Sequence, residues 1–166
     1  MANKFKKNKV NLAIIMKSKS NQLSIGIASD HGALNLKKAI IDHLKNKKNL
    51  FLPTDLGANS TESVDYPDYA QLISDKILDK TLDLGILCCG TGIGMSMKAN
   101  RNKGVRAALV FSSFTAQMAK EHNNANIICL GERTTSIPNA LSYIDTWLES
   151  IYEGGRHQGR LDKLDT

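Results

Sequence analysis

Short apolar runs alternate with longer amphipathic segments along the chain from residue 23 onward. Alternating or continuous apolar positions predict five strands, over residues 23–28, 50–56, 84–88, 105–111 and 127–130. Apolar positions at helical spacing predict helices over residues 33–47, 67–80, 114–122 and 138–151, with a further short helix after Gly94. Pro53 lies within the second run and favours an edge position for that strand, because proline has no N–H to donate to a neighbouring strand.

The regular alternation of strands and helices favours an α/β fold of the doubly wound, Rossmann-like type. We expect one five-stranded parallel sheet with helices on both faces, followed by a C-terminal helical extension that begins near Arg156. The length of 166 residues and the 42% share of hydrophobic residues suit one core. Because no internal repeat or low-complexity linker follows residue 22, the sequence predicts a single domain over residues 23–166.

A glycine-rich loop follows the third predicted strand. Gly90, Gly92 and Gly94 come directly after Cys89, and a short helix is predicted to follow them. Backbone N–H groups in such a loop and at the start of a helix point outward together, which is typical of an anion-binding site. The same pattern also occurs where a helix only packs closely against a sheet. It is not a Walker loop, and its spacing differs from the dinucleotide-binding fingerprint.

Two adjacent cysteines end the third strand, and the sequence predicts different roles for them. Cys88 lies within the apolar run and is interpreted as a small buried side chain. Cys89 lies where parallel sheets place their ligands, and the local field of the glycine loop would favour its thiolate form. The local sequence is equally compatible with a chemical role and a buried structural role for Cys89.

Further polar residues are predicted to lie near a ligand. Asp30 and His31 follow the first strand, and Arg133 follows the fifth, so all three are expected at the edge of the sheet where Cys89 lies. Arg156 and Arg160 are four residues apart, so a helix would place both guanidinium groups on one face, where they suit a phosphate. Simpler interpretations exist, since an Asp-His pair can cap a helix and arginines at a helix end are commonly solvated.

His122 ends the fourth predicted helix and offers an imidazole that titrates near neutral pH. Contacts with the last carbonyl groups of its helix would explain this histidine equally well. The sequence has no Cys-x-x-Cys, no His-x-x-x-His and no carboxylate cluster at ligand spacing, so we expect no metal and no cofactor. It also lacks the nucleophile elbow of the serine hydrolases.

The net charge of +6 comes from the amino-terminal segment. Residues 1–22 contain six lysines and no acid, and the remaining residues have sixteen basic and sixteen acidic side chains. We therefore interpret residues 1–22 as a disordered extension of a neutral domain and expect no nucleic-acid partner. No apolar run is long enough to span a membrane. Three cysteines, two of them adjacent, make no disulfide framework, which predicts a reducing compartment, the cytoplasm.

Six short motifs occur in order along the predicted domain. They are Asp30-His31-Gly32, Asp65-Tyr66-Pro67, Cys89-Gly90-Thr91-Gly92-Ile93-Gly94, Glu121-His122-Asn123, Gly131-Glu132-Arg133 and Tyr152-Glu153-Gly154-Gly155-Arg156-His157. In this combination they resemble the type B ribose-5-phosphate isomerases, a family related to the lactose-pathway galactose-6-phosphate isomerases. The resemblance implies an aldose–ketose isomerase without metal or cofactor that interconverts ribose 5-phosphate and ribulose 5-phosphate through a cis-enediolate.

The resemblance implies catalytic roles for four residues. Cys89 matches the base that moves a proton between C2 and C1 of the sugar, and His122 matches the acid that opens the furanose ring, with Asp30 assisting. Thr91 lines the site. Some members of the family have a glutamate base after the glycine loop; this chain has Met95 there, which implies the cysteine version.

The remaining residues implied by the resemblance bind the substrate. They are His31, Tyr66, Gly90, Gly92, Ile93, Gly94, Asn123, Arg133, Arg156 and Arg160. The histidine and the three arginines match phosphate-binding positions, and the loop would hold the oxyanion of the enediolate. Because the family's site is shared between two subunits, a homodimer or a dimer of dimers is implied. Trp147, Ile151 and Tyr152 are then candidates for the subunit interface or for the core.

Three alternatives stay open. The substrate could be a six-carbon phosphosugar, such as galactose 6-phosphate or allose 6-phosphate, although the complete set of catalytic positions favours ribose 5-phosphate. The loop could instead belong to a non-catalytic domain that senses a phosphate-containing ligand. Cys88 and Cys89 could form a redox switch, which is the weakest alternative because adjacent cysteines form a strained disulfide.

Overall fold

A five-stranded parallel sheet forms the centre of the computed structural model, which describes residues 22–47 and 50–165. The strands are β1 (Leu23–Ser29), β2 (Phe51–Asp55), β3 (Leu84–Cys89), β4 (Ala107–Leu109) and β5 (Ile127–Gly131). Their order across the sheet is β2-β1-β3-β5-β4. β2, which contains Pro53, is therefore an edge strand, as predicted. The lysine-rich extension predicted for residues 1–22 lies, apart from Gln22, outside the described residues.

Six α-helices connect and cover the strands in the described part of the chain. They are α1 (Leu34–Lys45), α2 (Tyr66–Leu78), α3 (Ile93–Ala99), α4 (Ser113–Glu121), α5 (Ile137–Glu149) and α6 (Gln158–Leu164). α1, α4 and α5 cover one face of the sheet, and α2 and α3 cover the other. The predicted doubly wound α/β fold with a C-terminal helix is confirmed. Within residues 22–47 and 50–165, no helix is long and apolar enough to cross a membrane.

Each face of the sheet has its own core, because successive side chains along a strand point to opposite faces. Ile86 and Cys88 of β3 pack in the cluster beneath α1, α4 and α5, whereas Leu87 and Cys89 pack in the cluster beneath α2 and α3. Trp147 of α5 is fully buried in the first cluster. Of the two locations considered for this tryptophan, the structure therefore shows the core.

All the predicted boundaries of the strands and longer helices lie within two residues of the observed ones, and β4 differs most because it is shorter by two residues at each end. The apolar pattern predicts a strand over residues 105–111, but the ladder with β5 extends only from Ala107 to Leu109. Before it, the N–H of Arg106 donates to the side chain of Asn126 at 2.8 Å. After it, Ser112 caps α4 by accepting the N–H of Thr115 at 3.1 Å. Side-chain capping therefore ends the strand where hydrophobicity alone would extend it.

Candidate active site

The carboxyl ends of the central strands bring together residues from distant parts of the chain. Cys89, the last residue of β3, pairs with Gly131, the last residue of β5, and β1 ends beside them at Ser29. Parallel sheets place their ligands at this edge. We call the candidate residues here the cysteine half-site; they are Asp30, His31, Tyr66, Cys89, Gly90, Thr91, Gly92, Ile93, Gly94 and Arg133.

The glycine loop turns the chain from β3 into α3 and places an N–H group on the cysteine sulfur. Gly92 has a φ of +77°, which an L side chain rarely adopts. Its N–H donates to Sγ of Cys89 at 3.0 Å. Cys89 is buried, with 6% of the residue exposed, and its sulfur lies at the base of the loop.

Cys88 has a different environment from its neighbour. It is fully buried on the opposite face of the sheet, and burial raises the pKa of its thiol well above the usual range. Its interpretation as a small buried side chain is confirmed. A disulfide between Cys88 and Cys89 would require the strand to distort, because the two side chains point to opposite faces.

Arg133 lies over the beginning of the loop. Its N–H donates to the carbonyl oxygen of Gly90 at 3.0 Å, and a methyl group on Gly90 would lie 3.3 Å from Nε and Cζ of its guanidinium. The preceding residue, Glu132, accepts hydrogen bonds from the Asn35 side chain at 3.1 Å and the Leu36 N–H at 2.9 Å. Glu132 thereby caps α1, a role that local spacing could not predict because its partners lie far away in the sequence.

Asp30 and His31 are oriented by backbone N–H groups. Oδ1 of Asp30 accepts the N–H of Gly32 at 2.9 Å and caps a 3₁₀ turn over His31–Ala33, so the capping interpretation is confirmed. Nδ1 of His31 accepts the N–H of Val64 at 3.2 Å. This bond requires Nδ1 to be unprotonated, which assigns the ring proton of the neutral imidazole to Nε2.

Thr91, Ile93 and Tyr66 form the outer side of the cysteine half-site. Thr91 and Ile93 are exposed, and Oγ1 of Thr91 accepts the N–H of Ile93 at 3.4 Å. The ring of Tyr66 lies against Gly94. Met95 is fully buried in the core between the sheet and α3, so the residue directly after the loop offers no acid–base group.

His122 and Asn123 lie at the opposite edge of the sheet. They follow α4, which returns the chain to the amino ends of the strands, as helices in such crossovers do. The carbonyl oxygen of Asn123 accepts a hydrogen bond from Nε of Arg106, the residue that directly precedes β4, at 3.1 Å. Within one chain, His122 is therefore separated from Cys89 by about a strand length, roughly 15 Å.

The C-terminal segment brings further polar side chains to His122. The rings of His122 and His157 stack with their centroids 4.2 Å apart and their planes at 16°. Oε2 of Glu153 lies 3.9 Å from Nε2 of His122 and 3.6 Å from Nε2 of His157. Burial lowers the pKa of His157, and the charges of His122, Arg156 and Arg160 lower it further. We call His122, Asn123, Arg156 and Arg160 the histidine half-site.

Among the described residues, His122, Glu153 and His157 form the group whose ligand atoms lie close enough to hold a metal ion. A histidine ligand requires the ion to lie near the plane of its ring. One ion cannot lie in both of two nearly parallel ring planes unless one ring rotates. Sequence reasoning gave no role to Glu153 or His157, because their contacts with His122 span more than thirty residues.

The chain matches known isomerases over almost the whole described region. A family model described as ribose/galactose isomerase covers residues 25–164. The chain belongs to the ribose/galactose isomerase family. Among the relatives of this isomerase, a probable ribose-5-phosphate isomerase B of Mycoplasma genitalium is 49% identical over 143 residues, or 85% of this chain and 93% of the relative. The family suggested by the six motifs is therefore confirmed.

Solved structures agree with this family assignment. A ribose 5-phosphate isomerase of Thermotoga maritima superposes with a TM-score of 0.84 at 45% identity, over 87% of this chain and 99% of that one. The ribose-5-phosphate isomerase B of Mycoplasma genitalium, solved with bound ribulose-5-phosphate, gives 0.83 at 47% identity, over 88% of this chain and 96% of that one.

Proposed function

We propose that the chain interconverts ribose 5-phosphate and ribulose 5-phosphate through a cis-enediolate, with Cys89 as the base and without metal or cofactor. The main support is the position of Cys89, which ends a central strand and accepts the N–H of Gly92 at 3.0 Å. The relatives named as ribose-5-phosphate isomerases and the neighbour with bound ribulose-5-phosphate support the same substrate. We place the enzyme in the cytoplasm, because its three cysteines are free thiols.

The proposed chemistry needs one group that removes a proton and returns it. The thiolate of Cys89 takes the proton from C2 of the open-chain aldose, and the electron pair moves to make the C1 oxygen an oxyanion. The C2 hydroxyl proton then passes to that oxygen, and the thiol returns the first proton to C1, which gives the ketose. The loop of residues 90–94 begins beside the sulfur, and its backbone N–H groups would stabilise the oxyanion, a contribution of about 3–4 kcal/mol.

Binding of the phosphate would orient the sugar. Four cationic or titratable side chains would hold it: His31, Arg133, Arg156 and Arg160. Planar guanidinium groups bind phosphate oxygens in pairs of hydrogen bonds, so a phosphate held at C5 fixes the direction of the C2–H bond toward the sulfur. His122 would open the furanose ring with Asp30 assisting, and Asn123 would contact the sugar.

The two half-sites require a second copy of the chain. In one chain they lie at opposite edges of the sheet, so we infer that the cysteine half-site of one subunit meets the histidine half-site of another. A two-fold contact would create two such sites in a homodimer, and further association would give a dimer of dimers. Phe111 and Phe114, both exposed at the carboxyl edge, and exposed Ile151 near the histidine half-site are candidate contact residues.

The first test is an isomerase assay with ribose 5-phosphate and a chelator present. We expect full turnover by the wild-type protein and a loss of about 100-fold or more in kcat for Cys89→Ala. Cys88→Ala is the matched control, since that thiol is buried on the opposite face. Activity of Cys89→Ala close to wild type would refute the cysteine base. Wild-type binding of phosphosugar without turnover would favour the sensor alternative.

The second test is complementation between two inactive variants, Cys89→Ala and His122→Asn. If each site uses both subunits, a mixed dimer contains one intact site, and random mixing restores about a quarter of wild-type activity. If each chain forms its own site, no intact site can form and no activity returns. The same assay with galactose 6-phosphate and allose 6-phosphate tests substrate class; equal turnover of five- and six-carbon sugars would remove the preference for ribose.

A further inference from the structure

Two side chains outside the proposed set of substrate-binding and catalytic residues, His157 and Glu153, lie beside His122. His157 is 4% exposed and its ring lies face to face with that of His122. Glu153 has 54% of its side chain exposed, and its Oε2 faces the Nε2 atoms of both rings, at 3.9 and 3.6 Å. We call His157 and Glu153 the histidine support.

The backbone fixes the histidine support against the end of α4. The N–H of Glu153 donates to the carbonyl oxygen of Glu121, the residue before His122, at 2.9 Å. The N–H of His157 donates to the carbonyl oxygen of Gly154 at 3.0 Å and closes the turn that places its ring beneath His122. The stack therefore depends on two ordered backbone contacts and is not a chance approach of two mobile side chains.

The buried ring of His157 has few polar neighbours. Nε2 of His157 is buried without a hydrogen-bond partner among the described residues, and Glu153 is its neighbour at ion-pair distance. The groups that face His157 are His122, Arg156, Arg160 and Glu153; burial and the first three lower its pKa, and Glu153 opposes them. At neutral pH the ring of His157 is therefore neutral, because its pKa lies below the ordinary value.

We propose that His157 and Glu153 are positioning residues for His122: the stacked ring fixes the plane of His122, and the carboxylate keeps a proton on its Nε2. Nδ1 of His122 is then the nitrogen that faces the sugar: the doubly protonated ring donates its Nδ1 proton to the furanose oxygen, and the neutral ring that results keeps its proton on Nε2. A carboxylate beside one ring nitrogen favours the tautomer with the proton on that nitrogen. The separation of 3.9 Å exceeds a hydrogen bond, and a small movement of the exposed carboxylate would close it. This inference rests on the proposed function of His122.

Kinetics of matched variants test the role of the ring. His157→Phe keeps a flat ring in the stack, whereas His157→Leu removes it at similar volume. We expect His157→Leu to lower kcat about tenfold or more with KM within about twofold, and His157→Phe to stay within about threefold of wild type. Melting temperatures are measured for both, because the ring is buried. Equal kcat for the two variants, or a loss confined to KM, would overturn the role of the stack.

The tautomer of His122 tests the role of the carboxylate without using activity. In long-range ¹H–¹⁵N NMR spectra we expect the wild type to carry the His122 proton on Nε2 and Glu153→Gln to show a mixture of tautomers. Glu149→Gln, an exposed substitution at the end of α5, is the control and should match the wild type. An identical His122 pattern in Glu153→Gln would overturn this role. A wild-type protein inactive on ribose 5-phosphate would refute the proposed function, while the NMR result would still decide the positioning.

Discussion

The ring of Tyr66 lies against Gly94, where the first turns of α2 and α3 meet beside the cysteine loop. A methyl group at position 94 would come within 2.6 Å of ring atoms Cε2 and Cζ and 2.9 Å of the hydroxyl oxygen. Gly94 therefore leaves space for a side chain from another helix. Through this contact, the position of Tyr66 at the site depends on a residue of the loop.

Gly94→Ala is expected to push the Tyr66 ring away and to lower kcat/KM for ribose 5-phosphate about tenfold. In a Tyr66→Ala background the same change should lower kcat/KM much less, because the ring that the methyl group meets has been removed. The double-mutant cycle should give a coupling free energy of about 1 kcal/mol. Gly159→Ala is the control, since a methyl group there would meet no atom within 4 Å. Equal losses in both backgrounds would contradict the packing argument.

Substitutions of His31 should distinguish the roles of its two ring nitrogens. Nδ1 accepts the Val64 N–H, so Nε2 is the atom left to donate to the substrate phosphate. A glutamine amide can reach the Nε2 position, whereas an asparagine amide reaches only the Nδ1 position. We expect His31→Asn to raise KM about tenfold and His31→Gln about threefold, in line with the loss or retention of one hydrogen bond to a charged group. The opposite order of KM values would show that the Val64 contact matters more.

The strands and helices could be predicted because each strand is an apolar run that is bounded by turn or capping residues. The exception, β4, shows the limit: Val105 and Val110 are both buried, but neither is part of the ladder. The N–H of Val105 donates to Asn102 in a turn, and that of Val110 makes one last hydrogen bond to Cys129 of β5. Hydrophobicity reports burial, and it does not report the hydrogen-bond partners of the backbone. This error does not affect the predicted fold class, because the order of strands and helices along the chain is the same.

The site could be predicted only in part. Strand ends at one edge identified Asp30, Cys89 and Arg133, because parallel topology alone places them together. Topology also places His122 at the other edge, a deduction available from the sequence, since it follows a helix and precedes a parallel strand. The contacts of His122 with His157 and of Glu132 with α1 depend on packing between distant segments, which periodicity does not encode.

Lys37 also makes contacts between distant segments that the sequence pattern does not predict, and its substitution is expected to destabilise the fold. It lies on the buried side of α1, and its Nζ donates to Oδ1 of Asp55 at 2.7 Å, the carbonyl oxygen of Ala58 at 2.6 Å and Oδ1 of Asn59 at 2.9 Å. All three ammonium protons are used, and the segment after β2 is tied to α1. We expect Lys37→Met to lower the free energy of unfolding by about 1–3 kcal/mol, because the buried carbonyl oxygen of Ala58 loses its donor.

Urea denaturation of Lys37→Met beside Lys38→Met measures this effect. Lys38 is exposed on the same helix, so its substitution controls for the loss of one positive charge and should change the unfolding free energy by less than about 0.5 kcal/mol. If the two variants were equally stable, the network around Lys37 would have no net role in stability.

The pH dependence of stability should reflect the buried ring of His157. Burial lowers the pKa of this histidine from its ordinary value of 6.5, so the unfolded chain takes up a proton at a higher pH than the folded chain does. Where the unfolded state binds more protons, the free energy of unfolding rises with pH. Stability should therefore fall as pH drops below about 6.5 toward the folded pKa, and this contribution should be constant above pH 7.5. Urea denaturation at pH 5.5, 6.5, 7.5 and 8.5 is expected to give a smaller decrease at acid pH for His157→Phe than for the wild type. Parallel curves for the two proteins would show that His157 can be protonated in the fold without cost.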